Sequence, residues 1–279
     1  MTTSLRTRIL LALVGLVVLF WTLAPLYWGV VVSLTTPADA LKVPISLVPE
    51  HLTLDNYREV IAGTGATAGF RRAIFNSFVQ SVLVTVTTLA VCVPAAYAFA
   101  RIRFRGAGPA LALITITMTL PVYLVLIPLF QLATSTGQVN TVRIVVAVIV
   151  SGMIPISIWI LRSHIATIPV EIEEAARIDG AGTWTVLVRV IGPLIAPGIV
   201  ATGVIIFLGS WGEFLIPAVF ANSPDAQPLT VLIPNLTTKT SAKFGLQAAA
   251  GLIGLVPPLT LVVIFQRYLL AGLLRGATR

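Results

Sequence analysis

Residues 73–100 read AIFNSFVQSVLVTVTTLAVCVPAAYAFA, a run without Asp, Glu, Lys or Arg, closed by Arg71 and Arg72 on one side and by Arg101 on the other. About 20 apolar residues in a helix cross the hydrocarbon of a bilayer, so this run is long enough to span. Working outward, charge-free runs recur at 9–38, 106–142, 144–161, 190–212 and 244–266. Trimmed of their polar ends, they predict helices near 9–33, 74–100, 109–132, 142–161, 194–220 and 247–270. The expected fold class is therefore all-α, a polytopic membrane protein with six transmembrane helices.

Composition agrees. Of 279 residues, 57% are hydrophobic and 10% charged, against about 25% charged in a soluble domain. The mean hydropathy is +0.99. The net charge of +8 lies in single residues and short clusters between apolar runs, which fits loops flanking spans and leaves no basic stripe to follow nucleic-acid phosphates. The one cysteine, Cys92, lies within an apolar run and reads as a small packed side chain. His51 and His164 stand apart in the sequence, so no metal site is expected. No Ser/His/Asp arrangement for hydrolysis is visible, so catalysis by this chain alone is not expected.

Arg6 and Arg8 precede the first run, and Ala38-Asp39-Ala40 has the look of a signal-peptide cleavage site. The apolar part of a signal peptide is about 7–15 residues. This one is longer, so a retained span is expected. Lys and Arg set orientation. With the N-terminus inside, the inner segments hold eleven of them, led by Arg101, Arg103 and Arg105. The outer segments hold seven, among them Lys42, Arg71, Arg72 and Lys239. Both termini are expected in the cytoplasm. Residues 1–73 then form a first span and an outer segment, with a short surface helix around Asp55–Glu59. Residues 74–270 form a five-span core and 271–279 a cytoplasmic tail.

The inner loop at about 162–193 is long, polar and patterned. Thr167 is a plausible N-cap and Pro169 suits a first turn. Glu171, Glu173 and Glu174 lie where the helix dipole favours negative charge. Gly180 and Gly182 are expected to end the helix, and a second helix to start after Thr183 and run toward Pro193. Small Ala175 and Ala176 flanked by charges make a surface on which another backbone could sit closely. An ordinary solvated surface helix would share that pattern.

Here the residues resemble a known family. Glu174-Ala175-Ala176, then Gly180, Val190 and Pro193, are similar to the EAA signature of binding-protein-dependent ABC importer permeases. Val190 and Gly192 stand where that signature has Ile and Leu. The string Glu174-Ala175-Ala176-Arg177-Ile178-Asp179-Gly180-Ala181, together with Asn76-Ser77, Ala95 to Arg101 and Trp211-Gly212-Glu213-Phe214, resembles the carbohydrate-uptake subgroup, in particular the second subunit of maltose permeases. The resemblance covers nearly the whole chain. It implies a type I ABC importer permease fold in a bacterial plasma membrane. It also implies a coupling helix, with Glu174, Ala175, Ala176, Asp179 and Gly180 meeting a cytoplasmic ATPase. The implied partners are a second permease subunit, an ATPase dimer that binds ATP and magnesium, and an extracytoplasmic solute-binding protein. No Gly-Lys dipeptide, and so no phosphate-binding loop, occurs in the chain, which fits ATP being bound by another chain.

Candidate pathway residues are few. Glu213 is the only carboxylate within an expected span, and a charge at the bilayer centre costs roughly 2.5–3.5 kcal/mol on insertion scales. With Trp211 it could line a sugar path, or it could hold the end of a span. Asn76 and Gln80 are further candidates, with an interhelical hydrogen bond as the plainer role for each. Pro94, Pro121, Pro128, Pro155, Pro197, Pro217, Pro257 and Pro258 point to kinked spans. The competing functions are a permease for another solute such as a glycerol phosphate, which should want Arg or Lys in the pathway, and a stand-alone secondary transporter, which would usually carry more intramembrane acids.

Overall fold

A computed structural model describes residues 4–39, 47–120, 122–236 and 243–277. Ala40, Lys42, Pro121, Lys239 and Arg279, which enter the sequence reading, lie outside them. The described chain is helical, with one isolated bridge between Thr35 and Leu52. The helices are α1 (Leu5–Ser33), α2 (Asp55–Ala62), α3 (Phe70–Arg101), α4 (Ala107–Thr117), α5 (Val122–Ser135), α6 (Val142–Ala166) and α7 (Val170–Ile178). They continue as α8 (Thr183–Leu194, with a π turn over Val186–Ile191), α9 (Ala196–Gly212), α10 (Leu215–Phe220), α11 (Leu229–Leu232) and α12 (Phe244–Ala277).

Among the described residues four helices are long and apolar enough to cross a membrane by themselves: α1, α3, α6 and α12. A fifth is available if α8 and α9, bent by 80° at Ile195, count as one span. Pro193 and Pro197 flank that bend, and neither can donate a backbone hydrogen bond across it. The single third helix expected at 109–132 is instead two shorter ones, α4 and α5. Leu120 precedes Pro121, and a residue before proline is driven out of the α region. The expected fifth span at 194–220 is broken as well, at Glu213 and Phe214.

The chain divides into two compact units. One comprises residues 1–71 and 232–255. In it α1 exposes Leu10, Leu13, Val17, Phe20 and Trp21, an apolar surface that hydrocarbon accepts and water does not. The C-terminal end of α1 is tied to α2, the short helix expected around Asp55–Glu59. Asn56 Nδ2 donates to the carbonyls of Ser33 (2.9 Å) and Thr35 (3.2 Å). The Ser33 and Tyr57 hydroxyls meet at 2.7 Å. The start of α12 joins them through an ion pair of Lys243 with Glu59 at 3.4 Å.

The other unit comprises residues 72–231 and 256–279 and holds two cores. One joins Val84 of α3, Ala133 of α5, Val145 and Ile149 of α6, Ile206 of α9 and Phe220 of α10. The second joins Cys92, Ala96 and Tyr97 of α3, Leu161 and Ile165 of α6, and Val186 and Ile191 of α8. Glycines in α9 let its neighbours approach. A Cβ on Gly203 would lie 3.2 Å from Leu89, and one on Gly198 would lie 2.6 Å from the His164 ring. Small residues at crossings are how membrane helices gain close packing without a hydrophobic driving force.

This contact gives a test. Gly198→Ala should destabilise the bundle by about 1–3 kcal/mol, the usual cost of overpacking, read as a lower melting temperature of detergent-purified protein. His164→Ala in the same chain should recover most of the loss, because the ring is the clashing group.

Candidate functional site

The loop after α6 begins differently from its sequence reading. Thr167 is the C-cap of α6, its hydroxyl donating to the carbonyl of His164 at 2.8 Å, and Pro169 is the N-cap residue of α7. Glu171 and Glu173 fall in the first turn. At the other end Gly180 takes φ +85°. The Ala181 N–H donates to the Ala176 carbonyl and the Gly180 N–H to the Arg177 carbonyl, each at 3.0 Å. That pair of bonds is a Schellman motif with glycine at its left-handed position. Gly182 is extended and opens α8 at Thr183. Further along, a Cβ on Gly192 would lie 3.1 Å from the Leu187 carbonyl in the π turn, so glycine fits closely at this departure from the EAA signature.

One face of α7 is free. Glu174, Ala175, Asp179 and Gly180 are exposed, and so are Val170, Ile172 and Ile178, with Ile178 at 86%. Trp184 adds a ring that is 69% exposed. Ala176 is half-buried against the second core. Apolar side chains beside carboxylates on a short capped helix make a surface able to enter a partner's cleft.

The opposite face of α7 is anchored. Glu173 is buried, and its carboxylate is bound on both oxygens. Arg101 Nε, at the last residue of α3, donates to Oε1, and the Tyr97 hydroxyl donates to Oε2 at 3.0 Å. Arg177 Nη2 lies 3.4 Å from the Tyr97 oxygen. Arg101 Nη2 also donates to the carbonyls of Ile165 (3.0 Å) and Ile168. Sequence reading noted Tyr97 only within a resembling string and Arg101 there and as an orienting inner-loop charge, and it passed over Glu173 for Glu174. A signal was present: Tyr97 and Arg101, like Glu173 and Arg177, are spaced i, i+4 and so share a helix face.

The candidate pathway residues lie elsewhere in this unit. Glu213 caps a helix: its Oε1 accepts from the N–H groups of Leu215 (3.0 Å) and Ile216 (3.2 Å) at the start of α10. Its own carbonyl accepts from the Thr230 hydroxyl at 2.8 Å. The half-buried charge thus sits at the positive end of a peptide dipole. Trp211 stacks on Phe207 with centroids 5.7 Å apart, and Phe207 meets Phe78 edge-on. Asn76 Nδ2 donates to the carbonyls of Asp225 (3.0 Å) and Gln227 (3.1 Å). Gln80 is buried one turn further along α3. Asn76 also borders a groove of about 680 Å³ between α3 and α6, walled by Phe75, Val79, Leu83, Val146 and Val150, with Arg143 among its lining.

Comparison with known proteins decides the family. Residues 90–275 match the family described as binding-protein-dependent transport system inner membrane component. The chain belongs to this family. It is thus an ABC permease, a multi-pass protein of the inner membrane. It is 30% identical to a trehalose/maltose transport system permease protein of Thermococcus litoralis, over 98% of this chain and 97% of that one. It is 31% identical to a sulfoquinovosyl glycerol transport system permease protein of Agrobacterium fabrum, over 92% and 89%. A bacterial ABC transporter involved in import of the acidic polysaccharide alginate shares the fold, with a TM-score of 0.79 at 21% identity over 96% of this chain and 99% of that one.

The cap at Glu213 can be tested apart from transport. Glu213→Ala should cost about 1 kcal/mol of stability, the usual loss of a helix cap. Glu213→Gln, which keeps an acceptor oxygen, should lose clearly less. Thermal melts of the two purified variants would show the order.

Proposed function

We propose that this permease is one of two membrane subunits of an ATP-driven sugar importer, contributing half of the translocation pathway. The exposed face of α7, with Glu174, Ala175, Asp179 and the Gly180 turn, docks a cytoplasmic ATPase dimer that binds ATP and magnesium. A second permease subunit pairs with this chain as a heterodimer, and an extracytoplasmic protein delivers the solute. The chain hydrolyses nothing itself. Six spans result if α4 with α5, and α9 with α10, each cross the bilayer as a broken helix. Both termini then lie in the cytoplasm, in keeping with the eleven inner and seven outer basic residues.

The observation that carries this reading is the free, capped face of α7 beside its anchored one. A solvated surface helix has no need to expose Ile178, Ile172, Val170 and Trp184 together, whereas a docking helix does. The sugar rests on the relatives, one a trehalose/maltose and one a sulfoquinovosyl glycerol permease.

Glu174→Lys should lower co-purification of the ATPase subunit and ATP-driven uptake together, each by about tenfold or more, the change given by ~1.4 kcal/mol of lost binding. Wild-type values for both would contradict the docking role. Melting curves of the cognate solute-binding protein with maltose, trehalose and other neutral oligosaccharides would identify the solute. A rise with a glycerol phosphate and none with a sugar would overturn the sugar assignment.

A further inference from the structure

α7 is joined through the backbone to α6 by residues 167–169 and to α8 by residues 179–182. Its tie to α3 is made by side chains alone. The Arg101 guanidinium holds Glu173 of α7 with one nitrogen and the carbonyls of Ile165 and Ile168 with another. One side chain therefore gathers the end of α3, the last turn of α6 and the start of α7. Tyr97, one turn back on α3, fixes the second carboxylate oxygen, so Glu173 is held at two points and cannot swing about a single bond. The pair is out of water, with the Arg101 and Glu173 side chains 11% and 3% exposed. A buried carboxylate deprived of its partner is an uncompensated charge, which makes this tie stiffer than a surface ion pair.

From this geometry we infer that Arg101, Tyr97 and Glu173 form a latch that makes α3 move with α7, so that a displacement of α7 reaches a long membrane helix distant from it in sequence. The three are positioning residues. The inference rests on the reading of α7 as the ATPase-docking helix and adds the route by which its motion enters the bundle. Glu174 and Glu173 then divide the work: the exposed carboxylate faces the ATPase and the buried one faces α3. It also gives a use to the Tyr97 and Arg101 pair, which the docking surface leaves unexplained.

The test uses the assembled importer: this chain, its second permease subunit and the ATPase. Spin labels go on cysteines replacing Ile172, at the edge of the exposed face of α7, and Arg105, just past α3, in a labelled chain that still co-purifies the ATPase. The native Cys92 is buried. Distances between the labels are measured by pulsed electron resonance without nucleotide and after trapping with ADP and vanadate. With the latch intact the distance should be the same in both states. With Glu173→Gln it should match wild type without nucleotide and shift or broaden on trapping by on the order of 2 Å, the scale of helix shifts in switching proteins. A wild-type shift as large as the variant's would overturn the latch, as would a variant distance unchanged in both states. A variant distance already altered without nucleotide would also overturn it, since that is what a merely structural role gives. If Glu173→Gln yields no folded importer, Arg101→Lys replaces it. Lysine keeps the charge without the fork, and a shift confined to the trapped state supports the latch while an unchanged distance overturns it. Failure of the unsubstituted chain to co-purify the ATPase would count against the docking reading instead.

Discussion

Hydrocarbon offers no hydrogen-bond partner to a peptide group, so a chain that enters it must satisfy its backbone internally. That constraint accounts for most of what this protein is. It sets the helical fold, and it leaves side chains such as Leu10, Phe20 and Trp21 facing outward. It also governs the places where the helices break. At several of the interruptions a polar side chain supplies what the backbone has lost. Glu213 accepts from the first N–H groups of α10. Asn140, with φ +62°, accepts from the N–H groups of Asn222 and Ser223. Asn76 donates to the carbonyls of residues 225 and 227. Polar residues are scarce in this bundle, and several of them serve the backbone.

That scarcity shapes the contact between α7 and α3 as well. Glu173 and Arg101 are charges withdrawn from water beside an apolar core. The arrangement persists because every acceptor finds a donor: two for the carboxylate, and the guanidinium shared with the carbonyls of Ile165 and Ile168 at the end of α6. α7 therefore has two unlike faces. One is fixed by buried ionic and hydrogen bonds. The other shows carboxylates, Ala175 and exposed apolar side chains.

Much of this was legible in the sequence, for identifiable reasons. Charge-free runs marked α1, α3, α6 and α12 because length and hydropathy alone decide a span. The turn at Gly180 was legible because a left-handed residue after a short helix calls for glycine. Three things were hidden. The split of the third span into α4 and α5 depends on Pro121, which reads equally as a kink or a break. The burial of Glu173 rather than Glu174 depends on which face of α7 meets α3, a tertiary fact. Side-chain roles at Asn76 and Glu213 were hidden for the same reason, since a polar atom in a span looks alike in sequence whether it meets solute or backbone.

The central claim is that α7 presents one face to the ATPase and the other to the bundle. Cysteine cross-linking along Val170–Ile178, in membranes that also carry the ATPase, tests it most directly. Cross-links at 171, 174, 175 and 178, with none at 173 and 176, are the expected pattern. Cross-links without helical periodicity, or none at any position, would contradict it.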